Sequence, residues 1–231
     1  MAHVLVVGGS KALAEVALFL AEHDNTVTIV SNHEQHLREL AQKTTGRAIR
    51  INPLQLDVHN DELLYSSLVQ SMDEHGPIVL AVNWLSPGGE ATIEMIARLA
   101  NSKSPLCRFF QVIRSGGAAL TESLRISRNS FVNLPKVLYR TISVGMDNHG
   151  ENLYRPLSPR QICAGVIDAI RNDRRDHHIG WTGALGAYVL SALSFSAMSI
   201  IHPSVPGAFC IACCDRKKSV LHPVEPRLAI R

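Results

Sequence analysis

The chain has 231 residues, of which 46% are hydrophobic and 19% charged, a balance that can bury one sizeable core and excludes a disordered polymer. Its formal net charge of +3, from scattered Lys and Arg, excludes a dedicated nucleic-acid groove. Cys107, Cys163, Cys210, Cys213 and Cys214 are an odd number, the first two in a strand-like and a helix-like stretch. Free thiols in a reducing compartment are therefore expected rather than a disulfide framework.

Met1-Ala2-His3 leads directly into an apolar strand with no basic leader, so the expected location is the cytoplasm. Val4 to Val7 is that strand, and it runs into Gly8-Gly9-Ser10. Leu13, Val16, Ala17 and Leu20 then recur on one face of a helix. Val27 to Val30 predicts a second strand, and Ser31 with Glu34 predicts a capping-box start for a helix carrying Leu37, Leu40 and Ala41.

Ile49 to Leu56 reads as a third strand interrupted by Pro53, followed by a helix from about Asp61 to Met72. Ile78 to Val82 is a fourth strand, Glu90 to Ala100 a helix and Cys107 to Ile113 a fifth strand. Val137 to Val144 is a sixth, a polar loop spans Asp147 to Arg155, and Ser158-Pro159-Arg160-Gln161 opens a helix with a capping box and a first-turn proline. Continuous apolar strands alternating with amphipathic helices imply an α/β fold: a doubly wound, Rossmann-like parallel sheet, with strand order 3-2-1-4-5-6.

Two regions are expected, a dinucleotide-binding domain over 1–180 and an apolar tail over 181–231. From Gly180 to Cys214 there is no Asp, Glu, Lys or Arg, and Ala184 to Ile201 approaches the length of a membrane helix. A helix docked on the domain, a membrane anchor through residues 184–201 and a frame-altered ending all stay open. Cys210-x-x-Cys213-Cys214 has no second pair of ligands, so no metal site is expected. His33, His36, His177 and His178 read as surface residues near element ends.

The glycine turn is the most informative motif. Between strand one and helix one, backbone N–H groups can meet a pyrophosphate at the positive end of the helix. Gly8 satisfies the tight turn, whereas the later glycine positions are taken by Lys11 and Ala14. Lys11 either brings its ammonium to a phosphate or is a solvated lysine beside a decayed site. Strand two ends Val30-Ser31-Asn32-His33 with no carboxylate for the ribose hydroxyls, which favours NADP over NAD. Gly8, Gly9, Ser10, Lys11, Leu13, Ser31, Asn32, Asp57, Val58 and Asn83 are the candidate cofactor contacts.

Gly8-Gly9-Ser10, Leu56-Asp57-Val58 and Ala81-Val82-Asn83 in this order resemble the short-chain dehydrogenase/reductase superfamily. The stretch from Tyr139-Arg140 to Leu157-Ser158-Pro159-Arg160-Gln161 is similar to its small atypical bacterial members. The resemblance implies hydride transfer between NAD(P)H and a small carbonyl or alcohol, with a Tyr four residues before a Lys and a Ser on strand five. A lysine cation would lower the tyrosine pKa while the serine holds the carbonyl. Here Tyr65, Tyr139, Tyr154 and Tyr188 are followed at that spacing by Val69, Ser143, Ser158 and Ala192, so the pair is absent. Ser115 and Tyr139 are the catalytic candidates left. Against them stand a loop serine beside Gly116 and Gly117, and a Rossmann protein that binds a dinucleotide or a partner without catalysis.

Overall fold

The computed structural model describes residues 1–85, 88–115, 131–145 and 157–180. Strand β1 (His3–Val7) is followed by α1 (Lys11–Ala21), β2 (Thr26–Ser31), α2 (Glu34–Thr44), β3 (Arg50–Gln55) and α3 (Asp61–His75). Next come β4 (Ile78–Asn83), α4 (Glu90–Lys103), β5 (Cys107–Ser115), β6 (Val137–Gly145), α5 (Pro159–Arg171) and β7 (Asp176–Ile179). The sheet order is β3-β2-β1-β4-β5-β6-β7, and every neighbouring pair is parallel. The expected order of the first six strands is the observed one.

Helices on both faces explain the continuous apolar strands. Val4 and Val6 of β1 pack with Leu13 and Val16 of α1, Leu37 and Leu40 of α2, and Val166 and Ile170 of α5. Leu5 and Val7 pack on the opposite face with Leu64 and Leu68 of α3 and Ile93 and Ile96 of α4. Gly165 lets α5 sit close to β7, because a Cβ there would come within 2.6 Å of Ile179 Cδ1.

Three local expectations change. Pro53 does not interrupt β3, since β3 is an edge strand, where a missing ladder donor is tolerated. The Ser31–Glu34 capping box does not form. Ser31 is held in the ladder opposite Gln55 and accepts the Leu56 N–H at 3.2 Å, so the chain leaves the sheet later and α2 starts after His33. The Ser31 hydroxyl instead accepts from the His33 N–H at 3.0 Å. A seventh strand, Asp176–Ile179, joins the sheet, and its polar residues suit an edge. By contrast, the Ser158–Gln161 capping box forms as expected. The tail over 181–231, and with it the anchor and the cysteine cluster, lies outside the described residues, as do Gly116, Gly117 and the Asp147–Arg155 loop.

At the amino ends of the strands, His3 is almost fully buried. Its Nδ1–H donates to the Gly76 carbonyl at 2.7 Å, which leaves Nε2 to accept from the Thr28 hydroxyl at 2.9 Å. Burial pushes its pKa down, against the Gly76 bond and with the nearby His75 ring also lowering it. His177 is lowered too, mainly by burial, although Asp168 opposes this. Unfolding frees both imidazoles to take up protons as pH falls through about 6.5. Their contribution to stability is therefore present above that value and lost as pH drops toward the lowered folded values. The melting midpoint is expected to fall between about pH 7.5 and about pH 5.5, and less so in His3→Gln, as read by thermal melts. An identical slope in the variant would remove His3 from this explanation.

Candidate functional site

The site is built where the strand order reverses, between β1 and β4, at the carboxyl ends of the strands. The β1 ladder ends with Gly8 N–H donating to Val30 O at 3.0 Å, and Trp84 N–H to Val7 O at 2.8 Å. Gly8 has φ +138°, and a Cβ there would lie 2.5 Å from the Trp84 carbonyl oxygen. Glycine is thus required twice, by conformation and by the approach of β4.

Ser10 is the N-cap of α1, its hydroxyl accepting from the Leu13 N–H at 3.2 Å. Leu13 itself is buried in the core beneath the turn. The N–H groups of Gly9, Ser10 and Lys11 have no recorded partner among the described residues. Free N–H groups at the start of a helix are a geometry that can accept an anion. Lys11 is exposed at the first position of α1, and among the described residues it makes no ion pair.

The end of β2 closes over this turn. Asn32 is exposed, with its Oδ1 3.2 Å from the place a Gly9 Cβ would take. The His33 ring lies against Gly9, its Cδ2 2.0 Å from that same place. His36 Nδ1–H donates to the Gly9 carbonyl at 2.8 Å, and the two imidazoles stand 5.3 Å apart. Neither histidine is marked as a site residue by the sequence alone. The signal available was their position directly after strand two, three residues apart.

After β3, Asp57 is exposed and its carboxylate accepts from the His59 N–H at 3.0 Å. Val58 is buried, and its carbonyl accepts from the Thr92 hydroxyl at 3.2 Å. At the end of β4, Asn83 is wholly buried, and neither atom of its amide has a hydrogen-bond partner among the described residues. It begins a register-aligned polar row, Asn83 opposite Gln111, Gln111 opposite Thr141 and Thr141 opposite Asp176. This row too was not read from the sequence, although Gln111 interrupts an otherwise apolar run.

The two catalytic candidates are not brought together. Ser115 ends β5 opposite Gly145, whereas Tyr139 stands opposite Phe109. Six residues of parallel strand separate the two levels, roughly 20 Å. Tyr139 is half-buried, its ring centroid 4.2 Å from that of Phe131, and its hydroxyl donates to Gln111 Oε1. Cys107 and Cys163 are free thiols pushed up to about 12, chiefly by burial, which leaves neither as a nucleophile. Among the described residues no three His, Cys, Asp or Glu gather to hold a metal, and no helix is long and apolar enough to cross a membrane.

A hollow of about 370 Å³ lies at the opposite, amino ends of the strands, lined by Met1, Thr26, Arg50, Asn52, Glu74 and His75. Parallel sheets of this kind bind ligands at the carboxyl ends, so its size does not make it the site.

No protein-family model and no curated protein matches the sequence. Solved structures do match the fold. A citronellol catabolism dehydrogenase of Pseudomonas aeruginosa PAO1 superposes with TM-score 0.59 at 15% identity, over 79% of this chain and 95% of that one. A short-chain dehydrogenase of Mycobacterium smegmatis gives TM-score 0.61 at 13% identity, over 78% and 92%. An alcohol dehydrogenase of the archaeon Thermococcus sibiricus, complexed with 5-hydroxy-NADP, gives 0.53 at 13%, over 77% and 95%. The chain has the fold of the short-chain dehydrogenase/reductase superfamily.

Proposed function

We propose that the chain binds NADP(H) at the glycine turn and serves as a short-chain-dehydrogenase-type oxidoreductase on a small carbonyl or alcohol. The observation that carries this reading is Gly8, required by φ +138° and by Trp84 O, which leaves at the switch point three N–H groups with no partner among the described residues. The N–H groups of Gly9, Ser10 and Lys11 would hold the pyrophosphate, with the Lys11 ammonium adding charge. Asn32 and His33, which end β2 without a carboxylate of their own, would face the adenosine ribose, and the nearest acid, Glu34, is paired with Arg38, which favours NADP over NAD. Asp57 and Val58 would border the adenine, and Asn83 the inner end of the crevice. When bound, the dinucleotide supplies or accepts the hydride. Ser115, at the rim of β5, would then hold the substrate oxygen by a hydrogen bond.

A second reading, a dinucleotide-binding protein without turnover, is favoured by two observations. No tyrosine has a lysine four residues on, and Tyr139 is engaged with Gln111 far below Ser115. Titration of NADPH and NADH into the protein, followed by tryptophan fluorescence, tests binding, and consumption of NADPH with a panel of small aldehydes and ketones tests turnover. NADPH is expected to bind more tightly than NADH, and Lys11→Ala is expected to weaken it by roughly threefold to tenfold. Equal affinities, or an unaffected variant, would count against the assignment. Tight binding with no turnover on any carbonyl would select the second reading.

A further inference from the structure

We propose that His36 is a positioning residue for the pyrophosphate of the bound dinucleotide, acting through the Gly9–Ser10 peptide; the inference rests on the reading above. His36 lies on the first turn of α2, and α2 is anchored to α1 by buried Leu37 and Leu40. From there His36 Nδ1–H donates to the Gly9 carbonyl at 2.8 Å, across 27 residues of sequence. No peptide in the described chain is cis, and in a trans peptide the carbonyl and the following N–H point in opposite directions. Holding the Gly9 carbonyl toward α2 therefore turns the Ser10 N–H away from α2.

That N–H has no recorded partner among the described residues, and Gly9 and Ser10 are only half-buried. Glycine at position 9 would otherwise let this peptide rotate, since glycine has no Cβ to restrict its backbone. His36 removes that freedom before the ligand arrives, so less ordering remains to be done on binding. Asn83, aligned with Val7 at the base of the turn and on the α3/α4 face of the sheet, is wholly buried, and neither amide atom has a partner among the described residues. The His33 ring rests against Gly9 on the site where a Cβ would stand, and it is expected to move when the dinucleotide enters, whereas His36 keeps its bond to the Gly9 carbonyl.

The test compares wild type, His36→Ala and His36→Asn, whose side-chain amide nitrogen can replace Nδ1 as donor. NADPH and inorganic pyrophosphate are titrated while the Ser10 amide is followed by NMR, and the melting midpoint is recorded for each protein. His36→Ala is expected to bind both probes roughly tenfold more weakly and to lose the shift of the Ser10 amide, with His36→Asn restoring both. Unchanged binding in His36→Ala overturns the inference alone. A loss that follows the melting midpoint and is not restored by Asn also overturns it, because a structural role then suffices. If wild type binds neither NADPH nor pyrophosphate, the dinucleotide reading falls and takes the inference with it.

Discussion

Gly8→Ala is expected to destabilise the protein by roughly 2 to 5 kcal/mol and to abolish NADPH binding. Two costs add at one position. The backbone is held at φ +138°, where an L side chain is strained, and the new Cβ would lie 2.5 Å from Trp84 O and 3.0 Å from Leu13 Cδ1. The first obstacle is a backbone carbonyl just past the end of β4 and cannot rotate away as a flexible side chain could. Relief requires β1 and β4 to part at the switch point, which moves the N–H groups away from their aim. Urea unfolding of wild type and variant reads the stability loss. A change below about 0.5 kcal/mol, as at an ordinary surface position, would mean that the turn is not constrained as described.

Asn83→Leu is expected to act in opposite directions on stability and on binding. Asn83 is 0% exposed and neither amide atom has a partner among the described residues, so its desolvation is not offset in the free protein. Leucine is close in size and carries no polar atom, and the substitution is expected to stabilise the protein by about 1 to 3 kcal/mol. The same change removes the polar group at the inner end of the crevice, and NADPH binding is expected to fall. Thermal melts and a NADPH titration measure the two effects together. A lower melting midpoint would show that the Asn83 amide is satisfied in solution and that its place in the sheet is structural.

The alternation of strands and helices was legible because a sheet covered on both faces demands apolar runs such as Val4 to Val7 and Phe109 to Ile113. Ser158 and Gln161 announced their helix because a capping box is a local device of four residues. Ser31 and Glu34 carry the same spacing and fail, because Ser31 is claimed by its pairing with β3, a contact 24 residues away in sequence. β7 was missed since an edge strand of four residues with His177 and His178 has no apolar period.

The candidate site was half legible for the same reason. Gly8, Ser10 and Lys11 announce an anion site within one turn of chain. His33 and His36 gain meaning only once α2 is folded back over Gly9, and the row from Asn83 to Asp176 exists only in the register of four strands. Register also separates Ser115 from Tyr139, a distance that no spacing in a linear sequence reveals.

A crystal structure of the protein grown with NADPH tests the dinucleotide site most directly. The expected result is pyrophosphate density against the N–H groups of Gly9, Ser10 and Lys11, with the His33 ring displaced from Gly9 and the 2′-phosphate on the Asn32–His33 side. Density confined to the hollow beside Arg50 and His75, or none at saturating ligand, would contradict it.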